Sequence, residues 1–278
     1  MNTATQLKAL IRNLSKDKGI NSQILLRNYM LERLLERISV SKYKNEFILK
    51  GGMLIAAMVG IDTRSTMDMD ATIKGQAVNK DNIESILNEI VSIDIGDNIE
   101  MRLKAIEEIR DEAEYPGFRA SIEVQFDGIK NMLKLDMTTG DKIVPKEICY
   151  RFKLMFEDRY LDVMAYNIET VLAEKIETIL TRATVNTRMR DFYDVYIILT
   201  LYKDLIDFSV LKKALYEVGE NRGTLYLISD KDMIFQEIEN NNEMKKLWIA
   251  YRKKYLYASE ISWNMVMSVM KELNHLII

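Results

Sequence analysis

The hydrophobic positions along the chain follow a helical period towards both ends and a strand period in the middle. Apolar residues three and four apart predict amphipathic helices, whereas alternating apolar residues predict strands with one buried face. The helical period covers residues 4–17, 21–40, 80–92, 168–183, 190–202 and 208–219, with further helices expected within 229–257 and 259–275. The strand period covers residues 98–108, 118–126 and 132–137, with edge strands expected at 146–152 and 160–165.

This order of elements predicts an α+β protein in two parts. Residues 1–167 carry the predicted strands and two N-terminal helices, whereas residues 168–278 are helical. Strands and helices that are segregated along a chain form α+β folds or separate domains. We therefore expect a sheet domain and a helical domain, with a catalytic cleft between them.

The predicted helix at 21–40 has a strongly charged face as well as an apolar one. The charged face consists of Arg27, Glu32, Arg33, Glu36 and Arg37. Opposite charges three or four residues apart stabilise the exposed face of a helix. We therefore expect these five side chains to be solvated and paired along the helix.

Residues 46–74 contain the pattern with the most specific chemistry. Phe47-Ile48-Leu49 predicts a short buried strand, and Gly51 and Gly52 separate it from helix-forming residues at 53–59. The free N–H groups at a helix N-terminus bind anions, and glycine lets the backbone approach a ligand closely. The glycine pair predicts either an anion-binding turn or a tight turn without a ligand.

Asp68 and Asp70 belong to the next predicted strand. Side chains two residues apart in a strand share a face, so the two carboxylates are expected to project together. Neighbouring carboxylates repel each other, and a hard cation such as Mg²⁺ between them removes that cost. On the residues alone, a metal site and an exposed polar strand face explain the pair equally well.

Composition narrows the cellular setting. Of the 278 residues 48% are hydrophobic, which is ample for a core, and the single cysteine, Cys149, fits a reducing cytoplasm. No stretch has the pattern of a signal peptide or the ~20 apolar residues of a membrane span. The formal net charge of −3 argues against a broad nucleic-acid-coating surface, although it is compatible with a local basic cleft.

The strand, glycine pair, helix and D-x-D strand together resemble the nucleotidyltransferase superfamily. The chain is more specifically similar to the AbiEii/AbiGii toxin family of bacterial abortive-infection and type IV toxin–antitoxin systems. The motifs that carry this resemblance span about half of the chain in the expected order. They are Leu49-Lys50-Gly51-Gly52, Arg64-Ser65-Thr66-Met67-Asp68-Met69-Asp70, Ala173-Glu174-Lys175 and Arg190-Asp191-Phe192-Tyr193-Asp194.

The resemblance implies a mixed β-sheet with flanking helices, followed by a helical domain. It implies an enzyme that transfers a nucleoside monophosphate from an NTP, with GTP as one candidate, to an acceptor. It also implies two Mg²⁺ ions, for which Mn²⁺ can substitute, and an RNA acceptor such as the 3′ end of tRNA. The implied outcome is growth arrest in phage defence. The implied partner is a separately encoded antitoxin, which does not need to touch the toxin.

Three acids are then expected to hold the metal ions: Asp68, Asp70 and Asp136. Asp136 is the only acid in a mostly apolar predicted strand, where a carboxylate is costly unless it is paired or metal-bound. Alternatively, Asp136 begins a turn with Thr138 and Thr139, or it pairs with Lys134.

The remaining predicted site residues bind the nucleotide. They are Gly51, Gly52, Lys50, Arg64, Ser65, Thr66, Lys175 and Arg182. The alternative for Lys50 and Arg64 is that they are solvated side chains without a role in nucleotide binding. Met53 stands where the superfamily often has serine, so one hydroxyl contact to phosphate is either missing or supplied by Ser65 or Thr66.

The resemblance also makes Lys175 a phosphate ligand and Asp191 a catalytic residue that orients Lys175 or the acceptor. The alternatives are a surface lysine paired with Glu174 and Glu177, and an aspartate that stabilises a helix start. Asp194 is expected to have an indirect role at most.

Aromatic residues are frequent in the C-terminal helices, namely Trp248, Trp263, Tyr251, Tyr255 and Tyr257. Core packing explains them better than base stacking on RNA. Two other functions stay open at this point. One is an NTP-binding or GTP-binding interaction module without transfer activity, and the other is a phosphotransferase that modifies protein hydroxyls.

Overall fold

The helices and strands of the protein form two compact units. A computed structural model describes residues 3–75, 79–109 and 117–277. Unit 1 comprises Met1–Gly140 and Ile148–Ala165, and unit 2 comprises Asp141–Glu147 and Tyr166–Ile278. Unit 1 contains a mixed β-sheet with flanking helices and unit 2 is helical, which confirms the predicted α+β class.

Unit 1 contains a seven-stranded sheet with the strand order β3-β4-β5-β2-β1-β7-β6. The strands are β1 (Phe47–Lys50), β2 (Met69–Ile73), β3 (Glu100–Ile109), β4 (Gly117–Phe126), β5 (Ile129–Thr139), β6 (Ile148–Lys153) and β7 (Tyr160–Ala165). The helices are α1 (Ala4–Lys18), α2 (Ser22–Val40), α3 (Gly51–Val59) and α4 (Lys80–Val91). All the strands and helices predicted for this part of the chain are therefore present.

The sheet is mixed because two of its strand pairs are parallel. β2 pairs with β5, and β1 with β7, in the parallel direction, whereas β1 and β2 are antiparallel. β4 alternates buried and half-exposed residues along most of its length, as its sequence predicts. The prediction that β7 is an edge strand is wrong, because β7 lies between β1 and β6.

The charged face of α2 corrects a prediction from the sequence. Glu32, Arg33, Glu36 and Arg37 are all buried rather than solvated. Arg37 makes a bidentate contact of 2.9 Å with Asp97. Elements distant in sequence cover this face, so the helical period alone does not reveal its burial.

A second group of contacts accounts for the other buried charges of α2. Arg33 bonds Glu157 at 2.8 Å, and Arg159 pairs with Glu36. Glu32 accepts hydrogen bonds from the backbone N–H of Met155 at 3.1 and 3.2 Å. Burial raises the pKa of Glu32 to about 8, because it disfavours the charged form more than these contacts stabilise it.

Unit 2 is built mainly from helices, and the first of them begins at a buried cap, Asn167. They are α5 (Ile168–Arg182), α6 (Met189–Tyr202), α7 (Phe208–Asn221), α8 (Leu225–Ser229), α9 (Lys231–Asn240), α10 (Asn242–Lys254) and α11 (Trp263–Leu276). Asn167 caps α5 by accepting a hydrogen bond from the N–H of Thr170 at 2.8 Å. Its amide group donates to the carbonyl groups of Val144 and Lys146, which explains why 141–147 belongs to this unit.

Within the described ranges, every helix is too short or too polar to span a bilayer.

Candidate active site

The turn between β1 and α3 requires glycine at both of its positions. Gly51 has φ = +64°, and an added Cβ would lie 2.8 Å from Cγ of Asp70 and closer still to its Oδ2. A Cβ on Gly52 would lie 2.9 Å from Oγ1 of Thr66. The two glycines therefore let the start of α3 pack directly against the aspartate strand.

The positive N-terminus of α3 faces one of the predicted catalytic acids. The N–H of Gly52 donates to Oδ2 of Asp70 at 3.4 Å, and no side chain caps the helix. The first N–H groups of a helix have no partner within the helix, so they attract negative charge. This end of α3 is suited to an anion.

Four charged residues stand side by side across four strands of unit 1. Lys50 on β1 is the partner of Asp70 on β2, Asp70 is the partner of Asp136 on β5, and Asp136 is the partner of Arg119 on β4. Directly paired residues share a face of the sheet. We call these four residues, Lys50, Asp70, Asp136 and Arg119, the charge row.

Asp136 lies on the same face as Asp70 but already has a cationic partner. Arg119 Nε and a terminal guanidinium nitrogen donate to the two oxygens of Asp136 at 2.7 and 2.6 Å. The predicted pair with Lys134 and the predicted turn are both wrong, since Asp136 lies inside β5 and bonds Arg119.

The acids also act together on Arg119. Its hydrogen bonds with Asp136 raise its pKa above the ordinary value, and the negative charges of Asp136, Asp68 and Asp70 add to this shift. Asp68 lies one residue before β2, and its carbonyl oxygen accepts a hydrogen bond from Thr66 Oγ1 at 3.1 Å.

The charge row contains carboxylates of the kind that bind magnesium, but one of them, Asp136, is bonded to Arg119. Asp70 and Asp136 provide hard oxygen ligands on adjacent strands, with Asp68 two residues from Asp70. Both oxygens of Asp136 bond Arg119, and no three His, Cys, Asp or Glu side chains in the described part of the chain are grouped to hold an ion. The oxygen donors are therefore of the type that a divalent ion prefers, and in this structure Asp136 is bonded to Arg119 instead.

The other residues predicted around the glycine turn are buried. Lys50 is 8% exposed and Arg64 is 1% exposed, so the alternative that they are solvated is wrong. Ser65 and Thr66 are buried as well, and the carbonyl oxygen of Thr66 accepts a hydrogen bond from Asn28 of α2 at 2.8 Å. The segment before β2 is thereby held in place next to the start of α3.

In unit 2, Lys175 is enclosed by two carboxylates of α6. Its Nζ lies 2.6 Å from Oδ1 of Asp191 and 3.1 Å from Oδ2 of Asp194. The side chains of these aspartates are 2% and 0% exposed. Arg188 approaches the other oxygen of Asp191 at 3.1 Å. Asp194, for which the sequence suggested an indirect role at most, contacts Lys175 as directly as Asp191 does.

The acids next to Lys175 on α5 contact Arg222. Glu174 and Glu177 pair with Arg222 at 3.2 and 2.5 Å. Arg182 is the last residue of α5 and is half-buried.

The aromatic residues of unit 2 are partly core and partly surface. Trp248, Tyr251 and Trp263 are buried, which confirms core packing for them. Tyr255 and Tyr257 are only half-buried, and their rings are stacked with centroids 5.3 Å apart.

Two cations contact Tyr255. Arg190 donates to the hydroxyl group of Tyr255 at 3.4 Å, and Lys254 lies over the Tyr255 ring. Burial raises the pKa of Tyr255, but the hydrogen bond from Arg190 and the charges of Arg190 and Lys254 outweigh it and leave the pKa below its ordinary value. We call Tyr255, Tyr257, Arg190 and Lys254 the aromatic–basic surface.

Solved structures with this fold include nucleotidyltransferases. A candidate nucleotidyltransferase from H. pylori is 15% identical, with a TM-score of 0.54 over 93% of this chain and 96% of that chain. JHP933 from Helicobacter pylori is 14% identical, with a TM-score of 0.53 over 93% of each chain. These likenesses establish a nucleotidyltransferase-like fold. The search of curated proteins finds no match.

The family is established by a comparison of the sequence itself. The model of the family described as "Nucleotidyl transferase AbiEii toxin, Type IV TA system" matches residues 33–268. The chain belongs to this AbiEii family, which confirms the resemblance given by the sequence motifs.

Arg119 is the one member of the charge row that sequence reasoning missed. The only available signal was its position among Ser121, Glu123 and Gln125 on the polar side of an alternating strand. That pattern does not name a partner, because the pairing of β4 with β5 determines which acid Arg119 meets.

Proposed function

We propose that the protein is an Mg²⁺-dependent nucleotidyltransferase that moves a nucleoside monophosphate from an NTP to an RNA acceptor. An acceptor hydroxyl group attacks the α-phosphorus, the bond to the β-phosphate breaks, and pyrophosphate leaves. The observation that carries the proposal is the charge row beside the N-terminus of α3. Membership of the AbiEii family gives this arrangement its reaction class.

In this proposal the residues of unit 1 have separate roles. The N-terminus of α3, with Gly51 and Gly52, receives the phosphates, and the nearby cation Lys50 contributes positive charge. Asp68, Asp70 and Asp136 hold the divalent ions, which neutralise phosphate charge when bound. Thr66 and Ser65 fix the segment that carries Asp68.

The aromatic–basic surface supports an RNA acceptor. Stacked aromatic rings beside arginine and lysine suit unpaired bases and phosphates, because a ring accepts any base and the cations bind the backbone. Unit 2 also holds the charged Lys175 between Asp191 and Asp194. Its contact with nucleotide phosphates stays a prediction.

In a type IV toxin–antitoxin system this reaction would cause growth arrest, and the partner would be a separately encoded antitoxin. The 3′ end of tRNA is the proposed acceptor, and GTP is one candidate donor. Total RNA and all four NTPs therefore belong in the first assay.

The alternative function is a nucleotide-binding module without transfer activity. The pairing of Asp136 with Arg119 favours it, since this pairing occupies an acid that the transfer reaction needs. A third candidate, transfer to protein hydroxyl groups, would place the label on protein.

The test incubates the full-length protein with each α-labelled NTP, MgCl₂ and total RNA. Wild type is expected to label RNA, and Asp70→Asn is expected to lose at least about a hundredfold, since a catalytic metal contributes several kcal/mol. Asp158→Asn is the matched control, because this aspartate is 98% exposed on the same unit. Labelling that is absent from folded wild type, or equal in wild type and Asp70→Asn, contradicts the proposal.

A further inference from the structure

Arg119 and a divalent ion require the same atoms of Asp136. Arg119 bonds both carboxylate oxygens in a two-point contact at 2.7 and 2.6 Å. Such a contact uses one lone pair of each carboxylate oxygen. An ion on a remaining lone pair would lie next to the guanidinium group, and because the two positive charges repel each other, Arg119 and the ion disfavour each other at Asp136.

The charge row explains why an arginine stands at this position. Asp70 and Asp136 are register neighbours, and Asp68 adds a third negative charge nearby. Like charges this close repel each other, and a neighbouring cation offsets that repulsion. Arg119 supplies that cation from the strand on the other side of Asp136.

The contact is also weak enough to be exchanged. The Arg119 side chain is 37% exposed and that of Asp136 is 21% exposed, so water screens the pair. Solvent screening weakens ion pairs at such partly exposed positions. The exposure also leaves the guanidinium group room to turn towards solvent.

We infer that Arg119 is a positioning residue that holds the Asp136 carboxylate in the charge row until a divalent ion takes its place. Arg119 thus competes with the metal for Asp136 and sets the metal concentration that the site needs. This inference rests on the proposed function, because it gives Asp136 the metal role assigned there.

The test measures Mn²⁺ binding to the full-length protein by electron paramagnetic resonance, with no nucleotide present. Arg119→Gln removes the competing cation and is expected to bind Mn²⁺ about fivefold more tightly than wild type, which corresponds to a pair worth about 1 kcal/mol. Arg102→Gln is the matched control. Arg102 is an exposed arginine on β3 that pairs with Glu100, and its variant is expected to bind as wild type does.

A purely structural role for Arg119 predicts the opposite result, because losing a structural contact leaves Mn²⁺ affinity equal or weaker. Arg119→Lys provides a second variant if Arg119→Gln does not fold. Lysine keeps the charge but not the two-point contact, so its Mn²⁺ affinity is expected between those of wild type and Arg119→Gln.

Each outcome separates this inference from the proposed function. Tighter Mn²⁺ binding by the Arg119 variants supports the competition, even if RNA labelling fails. Unchanged or weaker binding by these variants, with measurable binding by wild type, overturns the inference and leaves the transferase proposal standing. The absence of Mn²⁺ binding in all folded variants overturns both.

Discussion

The substitution Gly51→Ala tests the geometry of the glycine turn most sharply. Alanine at φ = +64° is strained by about 1–2 kcal/mol. Its Cβ would also lie 2.8 Å from Cγ of Asp70. Carbon atoms pack at about 3.5–4.0 Å, so the Asp70 side chain must move by roughly 1 Å. A displacement of this size in a catalytic group can cost about a hundredfold in rate.

Gly128→Ala separates the steric effect from the backbone strain. Gly128 lies in the β4–β5 turn with φ = +80°, and an added Cβ would meet nothing within 4 Å. We expect both variants to lose about 1–2 kcal/mol in urea denaturation. Only Gly51→Ala should lose about a hundredfold in RNA labelling from an α-labelled NTP. If Gly51→Ala folds and labels RNA within a few-fold of Gly128→Ala, the close approach of Gly51 to Asp70 does not have the role proposed for it.

Two further predictions concern buried charges. Between about pH 4.5 and 8 folded Glu32 keeps a proton that the unfolded chain has lost, so the free energy of unfolding falls as pH rises. Glu32 should account for about 2 kcal/mol of this decrease between pH 5.5 and 7.5, as measured by urea denaturation. Glu32→Gln should lack that part of the decrease, whereas Glu84→Gln, at an exposed glutamate, should keep it. If the free energy of unfolding of Glu32→Gln falls with pH as steeply as that of wild type, the raised pKa of Glu32 is contradicted. Lys175→Met leaves Asp191 and Asp194 buried without their lysine, so it should lower the free energy of unfolding by about 3–5 kcal/mol. A loss below about 1 kcal/mol would contradict the observed pairing.

The prediction for Lys175 affects how its mutants are interpreted. A loss of activity in Lys175→Met would not by itself demonstrate a contact with phosphate, because the buried pairing also stabilises unit 2. Activity should therefore be compared with the fraction of folded protein at the assay temperature.

Local sequence patterns predicted the parts of the site that local physics determines. Gly51 has a positive φ, which glycine adopts without strain. Both Gly51 and Gly52 lie so close to side chains of the neighbouring segment that a Cβ would clash with them. Met69 and Ala71 are buried on either side of half-buried Asp70, which agrees with the side-chain alternation expected of a strand. In the same way, the apolar background of Asp136 indicated that its charge needed a partner.

Contacts between distant segments could not be predicted in this way. Arg119 and Asp136 meet because β4 pairs with β5 in one register, and a one-residue shift would have moved Arg119 to the other face. The charged face of α2 is buried for the same reason. Glu157, Arg159 and Asp97 come from other segments, and the helical period contains no information about what covers a face.

The measurement that tests the central claim most directly follows the two ends of the NTP triphosphate. Full-length protein is incubated with total RNA, MgCl₂ and NTP labelled at either the α- or the γ-phosphate. Nucleotidyl transfer predicts that RNA acquires the α-label, that the γ-label leaves in pyrophosphate, and that Asp70→Asn abolishes both events. Acceptors that carry the γ-label, or folded wild type that transfers neither label, would contradict the account.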